Sequence, residues 1–334
     1  VQASSPNPQQ IAILRWYGAN QTGIEYPVVF PPQPGLSLTD MAFDGSNLWV
    51  TDVQHHTVVK FSVADGTTLG TFALPAAVGP LDQDGNGLAC DGLAIWVGSA
   101  NTVTRLRLSD GANLGSFPAV PGVNRLAFDG VSLWVAGRDG QVRRQRVSDG
   151  LYIDGFTIPG PVNGIAFDGA NLWLSSQGFV ARMSTALPPG PGFLQQFPVG
   201  GSTAGMAFDG ANIWVLTLQL PNTVVTKLRA SDGENLGTFP VGPSEQAGLL
   251  MPSNAIAFDG ANLWVTALNF GSQQNVPHWL QRPSPPAVGA VTKLRASNGE
   301  NLGMFMVGER PAGIAFDGVN IWVANQGSGT LSKL

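Results

Sequence analysis

Ile314-Ala315-Phe316-Asp317-Gly318-Val319-Asn320-Ile321-Trp322-Val323 is the last of seven near-copies of one phrase, and that phrase decides the fold. The others are MAFDGSNLWV at 41–50, LACDGLAIWV at 88–97, LAFDGVSLWV at 126–135, IAFDGANLWL at 165–174, MAFDGANIWV at 206–215 and IAFDGANLWV at 256–265. Their aspartates, Asp44, Asp91, Asp129, Asp168, Asp209, Asp259 and Asp317, recur about every 45 residues, the spacing of propeller blades and repeat arrays. Length alone would suggest two domains, but seven such units fill one ring of 334 residues.

Working outward from the phrase, each repeat reads as four strands. The Ile-Ala-Phe segment is short and apolar, and forms strand a. Asp-Gly-x-Asn supplies a hairpin turn. The Asn-Leu-Trp-Val segment is strand b, apolar on both faces. VTKLRAS at 225–231 alternates more and is strand c. A second Asp-Gly turn leads to LGTFPV at 236–241, which is strand d. Strands that are apolar throughout are buried on both sides, as between stacked blades. Trp49, Trp96, Trp134, Trp173, Trp214, Trp264 and Trp322 are therefore expected to fill the layers between blades.

Composition agrees with a turn-rich all-β chain: 43 Gly, 25 Pro and only 12 % charged residues. A net charge of −5 and the lack of a basic stripe exclude nucleic-acid backbones as partners. The single cysteine, Cys90, replaces the Phe of the other copies and is expected to be an inert core thiol, with no disulfide. No apolar run is long enough for a transmembrane helix. The polar lead after Val1-Gln2-Ala3 suits a mature exported protein, periplasmic or extracellular.

Closure of the ring is expected at the termini. The chain stops at a strand c, Leu331-Ser332-Lys333-Leu334, so blade 7 lacks an outer strand of its own. Residues 24–30, IEYPVVF, match LGTFPV and are expected to supply it, which removes the open edges of a linear array. Residues 1–22 form a lead and 23–334 the propeller. Asn7, Pro8 and Gly18 bracket a short helix within the lead, although Ile13-Leu14-Arg15 also reads as a mimic of strand c.

GIAFDGVNIWVAN, VTKLRASDGENLGTFPVG and RWYGANQTG resemble the YVTN-type seven-bladed β-propeller repeat proteins of bacteria and archaea, over residues 11–334. The resemblance implies the fold. It implies no single activity, because similar propellers include surface-layer components, periplasmic binding proteins and, more distantly, streptogramin lyases and lactonases.

Function is therefore sought where the repeat is broken. Connections d–a and b–c emerge on one face of a propeller, and turns a–b and c–d on the other. The long insertions, at 75–87, 242–254 and 269–288, all fall on the d–a/b–c face, as do the three histidines. That face is the expected contact surface for a protein or glycan partner, with His55, His56, Glu245, Phe270, His278 and Trp279 as candidate contacts. His278 and Glu245 also suit a base and acid of the lyase kind. Asp82, Asp84 and Asn86 open a calcium-loop pattern that lacks its closing glutamate, Leu93 standing there; the site expected is weak and no cofactor is required.

Two columns mark the start of strand a, near the mouth of the central channel. One reads Thr39, Asn86, Asn124, Asn163, Ala204, Asn254 and Ala312; the next is mostly Gly but holds Asp40 and Arg125. Asp40, Asn124, Arg125, Asn163 and Asn254 are candidate channel-mouth residues for water, an ion or a polar ligand. Lactonase-like propellers bind a metal there through carboxylates, whereas these columns hold one carboxylate, Asp40. No catalytic triad, paired Cys ligands or phosphate loop occurs, so no residue is assigned as catalytic. The sequence leads to a non-enzymatic exported binding propeller. A metal-dependent lyase or lactonase at the channel mouth and a structural surface-layer component, a subunit of a larger assembly, stand as alternatives.

Overall fold

A computed structural model describes residues 28–29, 37–75, 87–186, 194–219, 222–241, 251–268 and 289–334. These residues form seven four-stranded antiparallel sheets. Blade 1 comprises Leu38–Phe43, Asn47–Asp52, Thr57–Ser62 and Thr68–Ala73 as strands a to d. Blades 2 to 6 repeat that order. Blade 7 has Pro311–Phe316, Ile321–Asn325 and Thr330–Lys333, with Val28–Val29 as its outer strand. Val28 pairs with Lys333 and Val29 with Ser332, so the amino-terminal segment clasps the carboxyl-terminal one. The helix expected at 7–18 lies outside the described residues, which contain no helix.

The core is seven cores, one in each gap between blades. Trp49 of blade 1 packs with Ile95, Val97 and Leu106 of blade 2. The same arrangement recurs around the ring to Trp322 of blade 7, which packs with Leu48, Val50 and Phe61 of blade 1. Six of the seven tryptophans are wholly buried, and Trp264 is 4 % exposed.

Each tryptophan is fixed from three sides. Its indole Nε1 donates to the turn aspartate of its own repeat, as Trp214 does to Asp209 Oδ2 at 2.7 Å. The other carboxylate oxygen accepts the turn amides of Ala211 and Asn212. One side chain thus closes the hairpin and satisfies a buried donor, which explains the repetition of Asp. Directly across from the tryptophan on strand c stands a cation, as Lys227 opposite Trp214. Its Nζ lies 4.8 Å from the indole centroid. Lys60, Arg105, Arg144, Arg182, Lys293 and Lys333 do the same for the other six tryptophans. In blades 1 to 6 a strand d phenylalanine completes the stack, with Trp214 and Phe239 centroids 5.6 Å apart.

The cations also reach across to the following blade. Lys60 donates to Leu108 O, Arg144 to Thr185 O, Arg182 to Ala230 O, Lys227 to Ala296 O, and Lys333 of blade 7 to Val63 O of blade 1. A desolvated cation over indole contributes about 2 kcal/mol, and a charge-assisted bond to a carbonyl about as much, less the cost of burying the ammonium. Lys227→Met keeps the packing and removes the charge; it is expected to lower stability by about 1–2 kcal/mol in a denaturant titration.

The second Asp-Gly turn has a packing reason as well. Gly233, at φ +79°, receives Phe197 of the preceding blade; a Cβ there would lie 2.0 Å from the Phe197 ring. Cys90 is half-buried among the blade 1–2 core residues, and burial pushes its thiol up to about 11, so it is inert at neutral pH.

Candidate functional site

Innermost strands line the centre of the ring, where the strands a of adjacent blades lie against one another. At the channel mouth the ladder between strands a and b slips. Register shifts fall between Leu38 and Met41 in blade 1 and between Val123 and Arg125 in blade 3. Bulges of this kind turn side chains out of the alternating pattern. Beside these shifts stand Asp40 and Arg125, both half-buried, and the ladder shifts likewise in blades 5, 6 and 7.

Both charges are anchored on the inner strand of the following blade. Asp40 Oδ1 accepts the Met41 amide at 2.9 Å, and Oδ2 accepts the Leu88 amide of blade 2 at 3.3 Å. Its backbone amide donates to Thr51 Oγ1 at 3.0 Å. Arg125 Nε donates to Asn163 O of blade 4 at 2.9 Å, and Nη1 to Asn124 O. Asn124 is itself 7 % exposed and donates to Val162 O at 2.6 Å. Asp40 and Arg125 feel each other's charge but make no direct ion pair. Burial raises the Asp40 carboxyl, and the Arg125 charge pulls it partly back. Burial likewise lowers the Arg125 guanidinium, which Asp40 opposes and the neighbouring Arg138 reinforces.

A second cluster sits at the end of strand b in blade 1. Asp52 is fully buried, and its Oδ1 accepts the amides of Ser37 and Gln54. Oδ2 lies 2.6 Å from His55 Nδ1. The imidazole is 48 % exposed, so a buried carboxylate orients it and leaves the other ring edge at the surface. His56 follows at φ +54°, in the left-handed region.

The expected candidates separate clearly. Asp40, Asn124, Arg125 and the half-buried Asn163 come together at the channel mouth. Asn254 lies in strand a of blade 6 (Met251–Phe258), with its side chain outside the described residues. His55 and His56 lie on the loop face but do not act as one unit: His55 is held by Asp52, and the His56 carbonyl accepts the Leu74 amide. Glu245, Phe270, His278 and Trp279 fall outside the described residues, as do Asp82, Asp84 and Asn86 of the expected calcium loop. Among the described residues no three His, Cys, Asp or Glu side chains gather as metal ligands.

Sequence reading passed over Asp52. The signal was present: Ser99, Gly137, Ser176, Thr217, Ala267 and Asn325 occupy its position in the other blades, so blade 1 alone places an ionisable group there.

No protein-family model matches the chain, and no curated protein sequence does. Similarity appears in the folded backbone. It is a seven-bladed β-propeller. Virginiamycin B lyase from Staphylococcus aureus superposes with a TM-score of 0.64 at 15 % identity, over 92 % of this chain and 98 % of the lyase. U3-55K superposes with a TM-score of 0.71 at 12 % identity, over 92 % of this chain and 98 % of that one. At such identities the likeness shows the shared fold.

Proposed function

We propose that this protein is an exported, non-enzymatic binding propeller that presents its d–a/b–c loop face to a protein or glycan partner. The observation that carries this reading is a one-sided departure from the repeat. Among the described residues, three non-glycine residues have left-handed backbone, and all three lie on that face in consecutive blades: Arg310 before blade 7, His56 in blade 1 and Ala100 in blade 2. Such backbone costs about 1–3 kcal/mol per residue and is held where structure serves a contact. On the opposite face the a–b turns are uniform, closed by Asp44, Asp129, Asp209 and their equivalents, while the blade 4 c–d turn around Ala186 differs in sequence and lies mostly outside the described residues. Export rests on the resemblance to YVTN-type propellers. Among the described residues no helix is long and apolar enough to cross a membrane.

Photo-crosslinking side chains placed at Asn101 and Gln177, exposed on the loop face, should capture a discrete partner in the native source. The same groups at Val131 and Asp232, exposed on the other face, should not. Equal capture from both faces would overturn the reading. A metal-dependent lyase or lactonase is the second reading. The surface imidazole oriented by Asp52 favours it, since that geometry suits a proton acceptor, and one structural neighbour is a lyase.

A further inference from the structure

We propose that the channel mouth binds a small zwitterion of the amino-acid class, its ammonium on Asp40 and its carboxylate on Arg125. The site lies at the centre of the loop-rich face, where the strands a begin, and is formed by residues other than the contact positions named above.

The position that these two residues share is closed to side chains at three glycines that hold it elsewhere, and blade 6 has only the methyl of Ala255 there. A Cβ at Gly87 of blade 2 would stand 2.8 Å from Leu126 N and 2.9 Å from Arg125 Cα. At Gly164 it would meet Ala204 O at 2.6 Å, and at Gly313 Thr39 O at 2.7 Å. The inner strands press together here, and contacts this close are seldom tolerated. The strand a–b ladder shifts register in blades 5, 6 and 7 as well; what sets blades 1 and 3 apart is that they place opposite charges, Asp40 and Arg125, at this position.

Those charges are held apart. Asp40 is fixed to Leu88 on its own side of Gly87, and Arg125 leans away to Asn163 of blade 4. Of the five guanidinium N–H groups, those on Nη2 meet no acceptor among the described residues. The Asp40 carboxylate accepts two backbone amides and retains lone pairs. Each charge therefore has unused bonding capacity, on two inner strands that both lie against strand a of blade 2.

Charge balance selects the ligand. A simple anion on Arg125 would be repelled by Asp40, and a simple cation on Asp40 by Arg125, in surroundings where water screens poorly. A molecule carrying both charges gains at both ends. Arg138 adds a second positive charge on the Arg125 side, which strengthens the carboxylate pole. Desolvation already opposes both ionised groups in the free protein, so ligand charges would restore what burial removes.

Isothermal titration tests this with glycine, β-alanine and γ-aminobutyrate, which grade the distance between charges, against methylammonium and acetate at equal ionic strength. At least one zwitterion should bind about tenfold more tightly than either single-charge fragment. Asp40→Asn and Arg125→Lys should each weaken it about tenfold or more, since one lacks the anion and the other the planar fork. Asp40→Asn leaves one of the Met41 and Leu88 amides without its acceptor. Its binding loss is therefore read beside Asp40→Glu, which keeps the charge and should bind the zwitterion more tightly than Asp40→Asn. Equal binding by the two variants would count against a charge role for Asp40. No zwitterion binding at tens of millimolar, or fragments that bind as well as zwitterions, would overturn the proposal. The wild-type comparison decides alone if a variant fails to fold. Asn101 and Gln177 lie outside this site, so partner capture and zwitterion binding are read independently and either idea can fail without the other.

Discussion

Trp214→Ala is expected to lower the unfolding free energy by about 3–5 kcal/mol, the usual cost of deleting a buried large aromatic. Trp214 is wholly buried and joins the core between blades 5 and 6. Its removal empties the place where Asp209, Lys227 and Phe239 converge. The loss compounds. Asp209 keeps its turn amides but loses the indole donor, and Lys227 is left 8 % exposed over a void. Trp214→Phe should recover part of the packing but not the Nε1 bond, leaving a deficit of about 1–3 kcal/mol. A denaturant midpoint series over alanine, phenylalanine and wild type checks both steps. Equal stability of all three would contradict the role given to the indole.

Ending the chain after Gly329 should be at least as damaging. The deletion removes strand c of blade 7, Thr330–Lys333, together with Leu334. Leu331 and Leu334 are 2 % and 5 % exposed, and their burial alone contributes about 3–6 kcal/mol. Val28–Val29 would lose its only strand partner, and the Lys333 bond to Val63 O that ties blade 7 to blade 1 would go as well. Light scattering should show association of the shortened protein, because two sheet edges become free to pair with other chains. A monodisperse product with the original melting temperature would contradict the closure described above.

The fold was readable because its determinants are local and repeat in register. The turn Asp, the Gly after it and the Trp five residues beyond the Asp stand at constant spacing in all seven copies, so one hairpin, once understood, supplied the rest. The strand c cation was equally regular in space but hidden in the sequence. Lys60 stands eleven residues after Trp49, Arg105 nine after Trp96 and Lys227 thirteen after Trp214, because the b–c loop between them varies in length. Cross-strand pairing restores the alignment that loop length scrambles.

The channel-mouth residues were found for a related reason. Asp40 and Arg125 lie four residues before a fixed Asp, with no loop between, so a column of glycines made both stand out. Which atoms they hold was not readable, since Leu88 and Asn163 come from other blades. Asp52 escaped notice because its meaning depends on burial and on a histidine in a turn of variable length.

The pairing of Val28–Val29 with the strand that ends at Lys333 also orders events during synthesis. Val28–Val29, made before any blade, cannot dock until the last strand of blade 7 has left the ribosome. Throughout translation the nascent chain is an arc, each new blade packing on the one before while the leading edge stays unclasped. Folding of this molecule can proceed blade by blade, but its ring shuts in a single late step.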